Sequence, residues 1–295
     1  MAAVDLSVEE LADLAVSYLS EDLAPIGAFS TNVIGGPGVT EIVKNTASTG
    51  GVYQVEVTSA LPTPSSNPAD YEAMTSGTQT NVSVSTNNLA VMQSLTNVQA
   101  TQGIPFQTAV QDASKALAND VWDEVTSMLS GASYGSTSIG AAGTLVATDL
   151  TTLRAKIEKK DGVSLILEWA ESGPVIPTDK DGFDFNSAGA YGFSNWYQTS
   201  NFTGGAANTL ALAAAKEAAV VVAGLPMNGT LGGTNANRLI ETHSLVQQIR
   251  LPQIDLPVRM RIWQNSGTLD NFLTLETVFG ISEADSTAGE ILTHA

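Results

Sequence analysis

Tyr53-Gln54-Val55-Glu56-Val57-Thr58 and, further along, Asn81-Val82-Ser83-Val84-Ser85 decide how this chain folds. In both stretches apolar and polar side chains alternate with period two, the signature of a strand buried on one face. Between them lie Pro62, Pro64, Pro68 and Gly77, which no interior strand accommodates. The pattern predicts a long β-hairpin over residues 49–86 with a Pro-rich tip. A two-stranded arm is marginal by itself in water, so the reading also predicts that something outside the hairpin covers it.

On the C-terminal side of this hairpin stands the clearest helix, residues 104–130. Phe106, Val110, Ala113, Leu117, Val121, Val125 and Met128 recur at steps of three and four, with Gln111, Lys115, Asn119 and Asp123 opposite. Pro105 suits the first turn and Gly131 a stop. On the N-terminal side, Ser7 and Glu10 form a capping box for a helix over 5–20, and Leu11, Leu14, Ala15, Tyr18 and Leu19 share its face. Pro25 is expected to end the helical region. Residues 30–50, broken by Gly35, Gly36, Pro37 and Gly38, are expected to be extended.

The second half reads as a smaller α/β unit followed by strands. Asp149 is placed to cap a helix carrying Leu150, Leu153 and Ile157, closed by Gly162. Val163 to Trp169 reads as a buried strand, and residues 172–208 as loops and short strands. Ala211 to Ala218 is a strong helix former, whereas the valines of Ala219 to Ala223 favour a strand. Val258, Met260 and Ile262 alternate with Arg259 and Arg261, and a turn at Asn265-Ser266-Gly267 leads to a partner strand with Leu273, Leu275, Thr277 and Phe279. The polar tail after Gly280 is expected to be mobile.

The bulk numbers narrow the function. Of 295 residues 43% are hydrophobic, which is globular, but only 14% are charged, well below the roughly 25% of an average soluble domain. A polar, uncharged surface suits broad protein–protein contact. The formal net charge of −18 speaks against binding nucleic acid through a broad basic face. With no cysteine there is no disulfide and no thiolate-ligated metal. Met1-Ala2-Ala3-Val4-Asp5 lacks the basic start and apolar core of a secretory signal. Leu210 to Leu225 is the one membrane-like run, and Lys216 and Glu217 in its middle mark it as buried protein instead.

Catalytic patterns are sparse. The chain has two histidines, His243 and the penultimate His294, and no G-x-S-x-G, P-loop or H-E-x-x-H. Asp179 to Asn186 has the composition of a calcium loop, but with Gly182 in sixth place the first and twelfth positions fall on Pro177 and Ala188, which are not ligands. No cofactor and no metal site is expected. Arg154, Lys156, Lys159 and Lys160 lie near a helix C-terminus, where cations are favoured; a local contact to DNA or to an acidic neighbour is the alternative.

The order of these elements resembles that of tailed-bacteriophage major capsid proteins with the Hong Kong 97-like fold. In that resemblance residues 1–48 correspond to the N-terminal arm and 49–86 to the extended hairpin called the E-loop. Residues 87–145 correspond to a peripheral domain with its spine helix at 104–130, where Ala116-Leu117-Ala118-Asn119-Asp120-Val121 looks like the helix middle. Residues 146–250 correspond to the axial domain, entered at Ala147-Thr148-Asp149-Leu150, and 251–295 to the returning strands and tail. The stretch 170–208 departs from the family pattern. The resemblance implies an α+β fold and a subunit that is not an enzyme. It implies pentamers and hexamers of an icosahedral shell that encloses double-stranded DNA without sequence-specific binding. It further implies a place in the virion capsid, assembly in the host bacterial cytoplasm without a membrane, and scaffolding, portal and decoration proteins as partners. On this reading Phe29, Tyr53, Val55, Val57, Tyr71, Arg259 and Arg261 are the candidates for contact between subunits. Other readings stay open: an encapsulin-like compartment shell, a phage tail protein, or a hydrolytic enzyme.

Overall fold

The computed structural model describes residues 8–33, 39–43, 50–60, 78–95, 104–129, 134–139, 145–157, 161–175, 189, 191–202, 209–226, 245–251, 254–264 and 270–294. The expected capping box at Ser7, the hairpin tip with Tyr71, the Asp179–Asn186 stretch, Lys159, Lys160 and His243 lie outside the described residues.

Two helices and one sheet make the body. Helix α1 (Val8–Phe29) turns Leu11, Ala15, Leu19, Leu23, Ile26 and Phe29 to one side, and helix α2 (Ile104–Met128) turns Val110, Ala113, Leu117, Val121 and Val125 the same way; all are buried. The two helices pack on each other and on a sheet in the order β1 (Ser30–Val33), β10 (Ala219–Gly224), β13 (Asn271–Glu283), β12 (Leu256–Gln264), β11 (Leu245–Leu251), with β5 (Asn87–Leu95) pairing along β13. Val258, Met260, Leu273, Leu275 and Phe279 from the inner face of that sheet join the helical residues in one core.

A second sheet has the order β6 (Gly135–Ile139), β14 (Gly289–His294), β9 (Thr209–Ala214), β7 (Ser164–Glu168), β8 (Asn195–Thr199). Helix α3 (Ala147–Lys156) lies against β14, and Lys156 Nζ reaches Glu290 Oε1 at 3.1 Å and Thr137 Oγ1 at 2.6 Å. A third sheet, β2 (Val39–Val43), β3 (Val52–Ala60) and β4 (Thr78–Ser85), is antiparallel throughout.

Several expectations need correction. Pro25 does not end the first helix: α1 continues to Phe29 and packs along its length on α2. Proline removes one N–H and crowds the carbonyl of Glu21, a cost usually sufficient to break a helix. Here Ile26 and Phe29 anchor the final turn in the core, Ser30 Oγ donates to the Ile26 carbonyl at 2.7 Å, and Trp122 Nε1 donates to the Asp22 carbonyl at 3.0 Å.

Ala211–Ala214 is strand and not helix. It sits between β7 and β14, buried on both faces, where small side chains fit and tertiary pairing overrides alanine's helix propensity. Asp149 acts one turn later than expected: its carboxylate accepts from the Val146 N–H at 3.0 Å, so it closes the first turn from the N3 position.

The tail after Gly280 is also ordered strand. β13 runs on to Glu283 and β14 enters the middle of the second sheet with Ile291 and Leu292 fully buried. Strands far apart in the sequence meet in each sheet. β10 and β11, placed within 146–250, belong to the body sheet, while β6 and β14 belong to the smaller sheet. Besides the passage from β5 through α2 to β6, the chain crosses between these two sheets from β9 to β10 and from β13 to β14, and the latter two crossings lie side by side.

At this joint the Ala218 carbonyl accepts three donors: Tyr134 Oη at 2.6 Å, Ala284 N at 2.9 Å and Asp285 N at 3.3 Å. Burial, reinforced by Glu283 and Asp285, pushes the Tyr134 phenol far above its ordinary pKa and keeps it a donor. Gly289 has no room for a side chain, because a Cβ there would meet the Tyr134 ring at 2.8 Å.

Candidate assembly surfaces

The hairpin is built by the alternation seen in the sequence. Across β3 and β4, Tyr53 faces Val84, Val55 faces Val82 and Val57 faces Thr80, which gathers the apolar side chains on one face. Gln54 with Ser83 and Glu56 with Asn81 occupy the other. At its base the apolar face meets the outer side of β10, where Val55 and Val84 pack with Val220 and Val222 in a second, small core. Complete burial of a valine is worth on the order of 1.5–3 kcal/mol, so this contact fixes the base firmly. Tyr53, Val57 and Val82 are only partly buried around it.

A close-packed clamp marks the point where the hairpin leaves the body. Thr86 stands between β4 and β5. Its N–H donates to the Gly51 carbonyl at 2.9 Å, and its hydroxyl accepts from the Gly51 N–H at 2.9 Å. On its other side Gly280 of β13 lies so near that a Cβ would come within 2.3 Å of the Ser85 carbonyl oxygen. Side-chain-free residues are required here because three backbones converge.

The outer side of the body sheet carries the two arginines. Arg259 lies directly opposite Glu276, and Arg261 one pair further on the same face. Arg259 Nε is 2.8 Å from Glu276 Oε1 and Arg261 Nε 2.5 Å from the same oxygen. Beside them Trp263 and Phe272 stack with centroids 4.7 Å apart, and Trp263 Nε1 donates to Thr274 Oγ1 at 3.0 Å. Met92, opposite Thr274 on β5, is 59% exposed.

The expected contact residues therefore separate into groups. Phe29 is fully buried in the chain's own core, where its aromatic bulk anchors the end of α1. Val55 is buried under the hairpin base, and Arg259 and Arg261 share a carboxylate within the chain. Tyr53 and Val57 keep a partly open position, Tyr53 Oη donating to Glu41 Oε1 at 3.4 Å. Arg154, near the end of α3, donates to the Gly192 carbonyl at 3.0 Å.

Sequence reading missed three residues that matter here. Trp122, on the flank of α2, binds both α1 and Phe202, whose ring meets it edge-on at 5.8 Å. Thr86 and Gly280 give no signal in a linear pattern beyond a break in alternation. Among the described residues no three His, Asp or Glu side chains gather to hold a metal ion, and no helix is long and apolar enough to cross a membrane.

No family model matches the chain, and no curated protein matches it. Solved structures do. The chain aligns with the virus-like particle from Pyrococcus furiosus over 97% of its own length and 98% of that chain, with a TM-score of 0.56 and 12% identity. It aligns with a structure from Gordonia phage Cozz over 93% and 87%, with a TM-score of 0.50 and 13% identity. The capsid of the native GTA particle aligns over 100% and 94%, with a TM-score of 0.48 and 13% identity. At such identities the likeness is one of fold, and it extends over nearly the whole chain: the mixed α+β fold is shared with the Pyrococcus furiosus virus-like particle and the Gordonia phage Cozz structure.

Proposed function

We propose that this protein is the subunit of a closed shell, a major capsid protein of a tailed bacteriophage. The observation that carries the reading is the whole-chain fold likeness to a virus-like particle. Fold does not by itself give function; what supports this reading is that the likeness covers 97% of this chain and 98% of that one. The hairpin over 49–86 then acts as the E-loop, α2 as the spine helix, and the smaller sheet as the axial domain. Pentamers and hexamers of the subunit would enclose double-stranded DNA. A net charge of −18 would leave the packed genome free of the wall. Scaffolding, portal and decoration proteins are its expected partners, and the cytoplasm of a bacterial host its site of assembly. The role is structural and not enzymatic.

A second reading is favoured by one finding. The Pyrococcus furiosus structure is described as a virus-like particle, which leaves an encapsulin-like compartment open for this chain. Negative-stain electron microscopy and sedimentation of the purified full chain test both. Closed megadalton particles are expected. DNA in particles from the native source supports the capsid, and an enclosed enzyme supports the compartment. A monodisperse monomer or dimer that turns over a substrate overturns both.

A further inference from the structure

We propose that the root of the hairpin is a locked joint and not a hinge, so that hairpin and body move as one lever whose fixed angle decides the curvature at which copies of the chain join. This inference rests on the shell reading above and names the device in the fold that governs closure.

A hinge forms where few contacts hold the chain and a few residues are free to change φ and ψ. Gly50-Gly51, at the start of the hairpin, has the composition of one. The structure gives glycine another reason here. Neither Gly50 nor Gly280 has the positive φ that glycine alone adopts readily. What both lack is room. A Cβ on Gly50 would collide with the Thr86 carbonyl, and one on Gly280 with the Ser85 carbonyl and the Thr86 Cα.

The strand itself runs through the joint. β4 and β5 are separated by Thr86 alone. β3 holds the segment on one side through eight residue pairs, the first at Ser85, and β13 holds it on the other through nine, the first at Asn87. Between the two ladders there is no stretch of chain to absorb a rotation, so swinging the hairpin means opening one of them.

Thr86 and Asn87 add ties of their own. The Thr86 hydroxyl donates to the Gly51 carbonyl at 3.1 Å while accepting from the Gly51 N–H at 2.9 Å. Asn87 Nδ2 donates to Glu124 Oε1 of α2 at 2.7 Å, a bond strengthened by the acceptor's charge. Val55 and Val84 pack on Val220 and Val222 of β10. The root is thereby bound to β10, β13 and α2, and a displacement of the hairpin passes into the body instead of being taken up at its base.

This rigidity bears on assembly. Copies related head to tail form a closed object only if the rotation from one to the next closes. An arm fixed to its body sets that rotation; an arm that swings leaves it open. Thr86 and Asn87 are positioning residues in this sense.

The joint is tested with spin labels on Asn81→Cys of β4 and Asn119→Cys of α2, both exposed positions in a chain that has no other cysteine. Labelled full-length chain is diluted with an excess of unlabelled chain, so that pulsed electron paramagnetic resonance reads distances within one copy. One narrow distance is expected, the same in free subunit and particle. Thr86→Gly with Asn87→Ala is expected to broaden it at least about twofold, because the root then has few contacts left to hold it, and to spread the particle diameters seen by electron microscopy. Thr86→Ser keeps the hydroxyl and is expected to match the native chain in both. If the double variant does not fold, Thr86→Val, which keeps the shape and removes the hydroxyl bonds, takes its place.

A broad distance in the native chain, or one that shifts on assembly, overturns the joint and leaves the shell reading standing. Variants that stay narrow, or that broaden while their particles keep the native diameter, overturn it as well. A narrow native distance in a chain that never forms particles keeps the joint but removes the shell, and with it the role in closure.

Discussion

Tyr134 shows how much a single side chain can hold together in this fold. Its hydroxyl, the Ala284 N–H and the Asp285 N–H converge on one carbonyl at the point where the β9–β10 and β13–β14 crossings pass. Tyr134→Phe keeps the ring and removes one donor. The carbonyl keeps two others, so the expected loss is about 1 kcal/mol in a urea titration. Gly289→Ala adds a methyl group against the same ring, and the overpacking is expected to cost about 1–3 kcal/mol. Equal, negligible effects from both would mean that the joint is not where stability is set. Neither residue was legible in the sequence, because the partners of Tyr134 lie far along the chain. The alternation of Tyr53, Val55 and Val57 was legible, because period-two patterning is local.

At the scale of elements, β12 and β13 read correctly as paired strands, and the arginines of β12 find a carboxylate within the chain. Sequence shows Arg259 and Arg261 on one face; only the register shows Glu276 opposite. Arg259 is 6% exposed, so its charge is paired inside the chain and not at a rim. Glu276→Gln removes the carboxylate both guanidinium groups share, and breaking a buried pair from one side costs about 3–5 kcal/mol. A denaturation experiment should register that loss, whereas Lys156→Met, whose partner link is half-exposed, is expected to cost no more than about 1 kcal/mol. Similar losses from the two would contradict this ordering. The helices tell a related story. The apolar stripe of α2 was evident, yet α1 was cut short at Pro25, since the contacts that carry it to Phe29 come from Trp122 and the core.

For the whole molecule, excess acidity sets the response to pH. Burial holds Asp22, Asp120 and Glu283 above the ordinary carboxylate pKa, and the neighbouring Glu21, Asp123 and Asp285 add to the effect; Lys115 works the other way on Asp22. Between the unfolded and the raised folded pKa the native state therefore binds more protons than the unfolded chain. Stability then falls as pH rises through that window and is recovered on acidification. The melting temperature is expected to be higher on mild acidification toward the raised carboxylate range than at neutrality. Asp22→Asn and Glu283→Gln should raise it at neutral pH and flatten the dependence. A melting temperature that drops on mild acidification would show that other carboxylates dominate.

Local pattern was sufficient for the hairpin, the long helix, the buried strand at β7 and the pair β12–β13, since each depends on the spacing of apolar residues a few positions apart. Composition likewise limited the chemistry, through the absent cysteine and the scarce charge. Tertiary structure alone decided that the alanines of β9 form a strand, that the last residues return to the middle of the second sheet, and that Phe29 and the arginines face their own chain. In each case the deciding partner lies far away in sequence, and burial against it outweighs the preference of the residues themselves.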